Sequence, residues 1–65
     1  MYLNLYNAMK IKKISQATIS KTAECTPRAI FNKMKGKSEW LFSEAVRIHE
    51  THFPEYEFKE LFKKS

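Results

Sequence analysis

"AECTPRAIFNKMKGK", residues 23–37, carries a turn, a helix start and a helix stop within fifteen positions. Thr26 is a good N-cap residue, and Pro27 follows at the first helical position. There its missing N–H costs nothing and its fixed φ suits the helix. Gly36 ends the segment as a left-handed cap. The spacing predicts a helix from Pro27 to about Lys35, with Ile30 and Met34 on its apolar face. Arg28, Phe31, Asn32 and Lys35 fall at i, i+3, i+4 and i+7, so they form a separate outward stripe. An aromatic ring in the middle of a polar stripe poses the functional question. Such a helix either reads DNA or docks on something else.

Upstream, Ser15 offers an N-cap hydroxyl for another helix with Gln16 in its first turn. Ile19 and Ala23, four apart, give that helix one apolar face to set against Ile30 and Met34. A first helix is predicted over about Leu3 to Lys12, with Leu5, Tyr6 and Met9 as its stripe. Downstream, the connection 37–42 carries the bulky Trp40, Leu41 and Phe42. Ser43 is expected to cap a fourth helix, with Glu44 in its first turn and Ala45, Ile48, His49 and His52 at helical spacing until Pro54. A short fifth helix, about Tyr56 to Lys63, groups Phe58, Leu61 and Phe62 as a closing lid.

The chain of 65 residues fits one small domain, 1–65. At this length folding buries roughly 60% of the unfolded chain's surface, so stability is marginal. Cys25 is the one cysteine, which excludes an internal disulfide and disfavours a thiolate zinc site. That usage suits a reducing cytoplasm. One glycine and two prolines among plentiful Lys, Glu, Ala and Met argue for an all-α fold. No apolar run is as long as a membrane span, so no membrane partner is expected.

Charge is unevenly spread around the net +5. Residues 1–37 hold eight Lys/Arg against Glu24 alone, while residues 38–65 hold four basic residues against six Glu. A basic half attracts polyanions, and one centred on a helix is the footprint of a nucleic-acid binder. A solvated lysine-rich face is the plainer explanation.

Ser15–Lys37 resembles the lambda-repressor-like helix-turn-helix family, which includes phage Cro and cI proteins and XRE-type regulators. Ser15-Gln16, Ile19, Ser20, Ala23, Cys25, Thr26, Ile30, Met34 and Gly36-Lys37 carry the resemblance. "CTPRAIFNKMKGK" is also similar to the corresponding helix of the LacI-like branch. The resemblance implies a compact five-helix domain with its helix-turn-helix core at about 15–37. It implies phosphate contacts for Gln16, Lys35 and Lys37, and base contacts for Arg28 and Asn32. Glu24 stands where the family usually has a turn glycine, which requires a positive φ of a non-glycine residue. Lys33 stands where many members have an aliphatic residue, and its stem can cover the core edge. Phe31 has no hydrogen bond to offer a base, and Pro27 no donor.

A large exposed aromatic is what protein interfaces use as an anchor. Phe31 folded back against Trp40 or the first helix is the structural alternative. Trp40 has the same ambiguity, core plug or exposed anchor. "HETH", His49–His52, lacks the four-residue spacing of a zinc-protease motif, so no metal site is assigned. Cys25 has no evident activating base, and with one glycine a Gly-rich phosphate loop is excluded. No catalytic residue, cofactor or small-molecule substrate is expected. "PEYEFKELFKKS" has an amphipathic face better suited to core closure or a dimer contact than to a membrane surface.

Two functions compete. In one, the chain is a Cro-like operator binder in a bacterial cytoplasm, a homodimer through its last two helices. In the other it is a temperate-phage modulator or antirepressor, similar to modulator-of-repression proteins. It would then pair Pro27, Arg28, Phe31, Asn32, Lys35 and Trp40 with the N-terminal domain of a cognate repressor.

Overall fold

Two polar side chains start the central helices as their positions demand. In the computed structural model, which describes residues 1–64, Ser15 Oγ accepts from the Thr18 N–H at 3.2 Å. Thr26 Oγ1 accepts from the Ala29 N–H, also at 3.2 Å. Each bond satisfies a backbone donor that a helix start leaves open. The described residues form five helices and no strand: α1 Leu3–Lys12, α2 Gln16–Ala23, α3 Pro27–Lys35, α4 Phe42–His52 and α5 Phe58–Leu61. The fold is all-α, in one unit of 25 × 23 × 21 Å.

The turns are short because single left-handed residues end the first three helices. Lys13 and Glu24 sit at φ 58 and Gly36 at φ 86. Glu24 thus takes the positive φ expected of it. At Gly36 the φ alone would strain any side chain, and a Cβ would also stand 3.1 Å from Lys64 Cε.

Leu5, Ile19, Ile30, Ile48, Phe53 and Leu61 are fully buried, one from each helix and Phe53 from the α4–α5 connection. Ala23 and Met34 join Ile19 and Ile30 in this cluster, as their spacing predicted. Each such aliphatic side chain contributes about 1.5–3 kcal/mol when fully buried. The chain start is tied in by the Tyr2 N–H, which donates to the Met34 carbonyl at 3.0 Å.

Three expectations need correction. Tyr6 is exposed; the buried stripe of α1 is Leu5, Ala8 and Met9. α4 starts at Phe42 with Leu41 as its cap, two residues before Ser43 would have started it. The cause is Glu44, whose carboxylate reaches back to accept from the Leu41 N–H at 3.1 Å. α5 is a single turn, because Tyr56 is held outside it. Its N–H donates to the Phe53 carbonyl at 3.1 Å, and its own carbonyl lies 2.6 Å from His49 Nε2.

Glu44 also joins three segments. Its carboxylate pairs with Lys33 from α3 and accepts from the Cys25 thiol of the α2–α3 turn at 3.0 Å. Both charged side chains are nearly buried, at 12% and 10% exposure. Burial pushes the Glu44 carboxyl up, but hydrogen bonds from Cys25, Lys33 and the Leu41 N–H outweigh it and hold the pKa below the ordinary range. The bond to Glu44, then burial, pushes the Cys25 thiol up, so it stays protonated. Removing one partner of a buried pair strands the other, at a cost of about 3–5 kcal/mol. Lys33→Met should therefore lower the thermal midpoint by more than about 10 °C in a domain this size. A change near that of a surface pair, under about 1 kcal/mol, would contradict the assignment.

Candidate functional site

Lys33 and Phe31 are two residues apart on α3, which is about 200° around the helix. Pinning Lys33 inward turns Phe31 outward, and the residue is 43% exposed. It lines a groove of about 350 Å³ with Met1, Tyr6, Gln16, Met34 and Lys35. The groove lies between α3 and the starts of α1 and α2. Its two exposed rings each carry a lysine: Lys35 Nζ stands 5.2 Å from the Phe31 centroid and Lys10 Nζ 5.4 Å from that of Tyr6. An apolar floor is thus framed by cations.

Of the residues singled out from sequence, Gln16, Phe31 and Lys35 come together here. Pro27 and Arg28 are exposed at the start of α3, outside the groove lining. Asn32 is half-buried, and its carbonyl accepts from the Lys37 N–H at 2.9 Å. Lys37 is exposed just past the Gly36 cap.

Trp40 does not join this surface. It is half-buried, with its ring 6.2 Å from Tyr2 and 5.5 Å from Phe62, both edge-on. Its Nε1 is shielded from solvent without an acceptor, so the indole offers no polar edge to a partner. Trp40 is a plug over the core, and its assignment as a docking anchor is corrected accordingly. Met1, Tyr6 and Met34 are the groove residues that the sequence reading did not assign to a site, and Lys10 joins them only through its contact with the Tyr6 ring. The Tyr6–Lys10 spacing of four was the available signal, since it sets a cation beside the ring on one helix face.

Two of the basic residues turn inward. Lys33 pairs with Glu44, and Lys12 pairs with Glu55. Lys12 also donates to the His52 carbonyl at 2.8 Å, which caps the end of α4. Glu24, the single acid of residues 1–37, is taken by Arg47 at 3.1 Å. Among the described residues Lys10, Lys13, Lys21, Arg28, Lys35 and Lys37 form no ion pair, so the field around α3 stays positive.

The histidines of "HETH" hold the fold together. His49 meets the Tyr56 carbonyl, and His52 Nε2 lies 2.7 Å from Thr22 Oγ1, linking α4 to α2. Burial, helped by nearby Lys12, pushes the His52 pKa below its ordinary 6.5. Folding thus favours the neutral ring, and the unfolded chain binds the extra proton first. Stability should be level from neutral pH up to the onset of thiol ionisation, where the raised Cys25 pKa makes it fall, and it should also drop as the pH falls below 6.5, before the loss expected from Glu44 below its ordinary 4.5. Thermal midpoints against pH test this: His52→Gln should flatten the first step only, and an unchanged step would assign it elsewhere.

No protein-family model, curated protein or solved structure matches the chain. No helix of the described residues is long and apolar enough to cross a membrane.

Proposed function

We propose that this chain is a small phage-type helix-turn-helix regulator of a lysogenic/lytic switch, acting as a modulator or antirepressor. It docks the outward face of α3 on the N-terminal domain of a cognate repressor and changes that repressor's operator binding. One observation carries the reading: the exposed Phe31 ring in an apolar groove framed by Lys10 and Lys35. A base edge gains little from this surface, because neither Phe31 nor Tyr6 and Met34 brings a donor pattern that discriminates between bases. An apolar side chain on an acid-rimmed protein gains both burial and charge complementarity.

A stand-alone Cro-like operator binder is the second reading, favoured by the exposed and unpaired Arg28 and by Lys35 and Lys37 around the end of α3. Phosphate contacts of that kind make DNA affinity fall steeply with salt.

Co-purification with a candidate cognate repressor, followed by a gel shift with and without that partner, separates the two. The chain alone should bind DNA weakly and without sequence preference. Phe31→Ala should weaken the protein complex about 30-fold or more, the loss of one anchoring aromatic. A specific, salt-sensitive shift by the chain alone, relaxed by Arg28→Ala and unmoved by Phe31→Ala, would overturn the proposal in favour of the second reading.

A further inference from the structure

Three large aromatic residues are exposed among the described residues, Tyr6, Phe31 and Phe42, and Phe42 is the most open at 76%. Tyr6 and Phe31 each hold a lysine from four residues further along their own helix. Lys10 Nζ stands 5.4 Å from the Tyr6 centroid and Lys35 Nζ 5.2 Å from that of Phe31. Four residues after Phe42 stands Val46, and no Lys or Arg of the described residues lies over the Phe42 ring. The ring is nevertheless held in place. It leans edge-on against Phe58 at 6.0 Å, and Phe58 leans against Phe62 at 5.3 Å. Phe42 thus presents a fixed π face without the cation that its two counterparts have.

A groove of about 390 Å³ runs from this ring along α4, past Ser43, Val46, Arg47 and Glu50. Its two charges are not equally free. Arg47 donates to the Glu24 carboxylate at 3.1 Å. Glu50 is exposed and forms no ion pair or hydrogen bond among the described residues. The unanswered charge of the groove is therefore negative. On the other side of Phe42 a second hollow, of about 220 Å³, includes Trp40, Ala45, Phe58 and Phe62 and no charged side chain.

We propose that this face takes an arginine-bearing segment of a basic partner protein. The partner's guanidinium lies on the Phe42 ring, as Lys10 lies on Tyr6 and Lys35 on Phe31. Its apolar stem rests on the neighbouring aromatic hollow. Arginine suits this place better than lysine, because a planar guanidinium stacks on a ring and is more weakly hydrated. Phe42 and Glu50 are eight residues apart on α4, about 12 Å along the helix axis. A second basic side chain four residues on in an extended segment covers that distance, at about 3.3 Å per residue, and meets the Glu50 carboxylate. An acidic segment or a nucleic-acid strand is repelled by Glu50, and a purely apolar one leaves that carboxylate unanswered. The α3 groove and the α4 face therefore select partners of opposite charge. They share no lining residue, so the inference stands or falls apart from the proposed repressor docking.

Amide chemical-shift titration of the labelled chain with a capped peptide, Gly-Arg-Gly-Ser-Gly-Arg-Gly, tests it. The same peptide with citrulline in place of both arginines keeps the shape and removes the charge. The arginine peptide should move Phe42, Val46 and Glu50 together. The citrulline peptide should bind about five-fold more weakly, the loss of one exposed cation–π contact and one surface ion pair. Phe42→Leu, which keeps an apolar side chain, should weaken the arginine peptide about three-fold and barely affect the other. Glu50→Gln should weaken it too and remove most of its salt dependence. Phe31→Ala should bind as the parent does. Equal binding of the two peptides, no shift with either, or shifts centred away from Phe42 and Glu50 would overturn the proposal. Movement of the same residues on concentrating the chain alone would equally overturn it, because the face would then belong to a second copy.

Discussion

The ion pair between Lys33 and Glu44 fixes what α3 can present to the outside. α3 has only nine residues and is bordered by turns, so its rotation about its own axis needs a lock. Ile30 and Met34 supply the apolar part of that lock, and a greasy contact alone tolerates some rolling. The charged pair does not, because both groups are nearly out of solvent and each depends on the other. Glu44 spends its remaining acceptor capacity on the Leu41 N–H and the Cys25 thiol. One carboxylate therefore sets the start of α4, the α2–α3 turn and the roll of α3. The exposure of Phe31 is the consequence on the opposite side of the helix.

That geometry places an apolar surface inside a cationic frame, and the two parts do different work. In the proposed docking, the Phe31 and Tyr6 rings would supply contact area that rewards exclusion of water. In that proposal, Lys10 and Lys35 would add long-range attraction for an acidic surface and speed encounter, with a smaller share in final affinity. A DNA-reading face would invert these weights, with donors at the centre and charge dominating the affinity. α4 shows yet another arrangement, a ring beside a groove with charges of both signs. Two patterns of charge around exposed apolar groups can thus be told apart on a chain of 65 residues.

What could be read from sequence was local. Ser15, Thr26 and Gly36 announce their helix ends because a cap depends on residues within one turn. Ile19, Ala23, Ile30 and Met34 announce their packing because period alone puts them on facing sides. The positive φ at Glu24 followed from the resemblance, which sets Glu24 where the family usually has a turn glycine. What escaped depended on contacts made across the fold. Lys12 and Lys33 look like surface cations until Glu55 and Glu44 arrive from α4 and beyond. The true start of α4 was hidden because Ser43 is a good cap by type, whereas Glu44 reaches backward to a residue with no cap chemistry of its own. Trp40 sat in a connection, where no period indicates direction, and its burial between Tyr2 and Phe62 depends on both chain ends.

The central claim is that the outward face of α3 is a protein-docking groove. Amide chemical-shift mapping of the labelled chain, titrated with the unlabelled repressor N-terminal domain and separately with operator DNA, tests it most directly. The account predicts that the protein titration moves Tyr6, Gln16, Phe31 and Lys35 together, while DNA alone produces small, salt-erased shifts scattered over the lysines. Strong shifts at Arg28 and Asn32 with DNA alone, and none at Tyr6 and Phe31 with the protein, would contradict it.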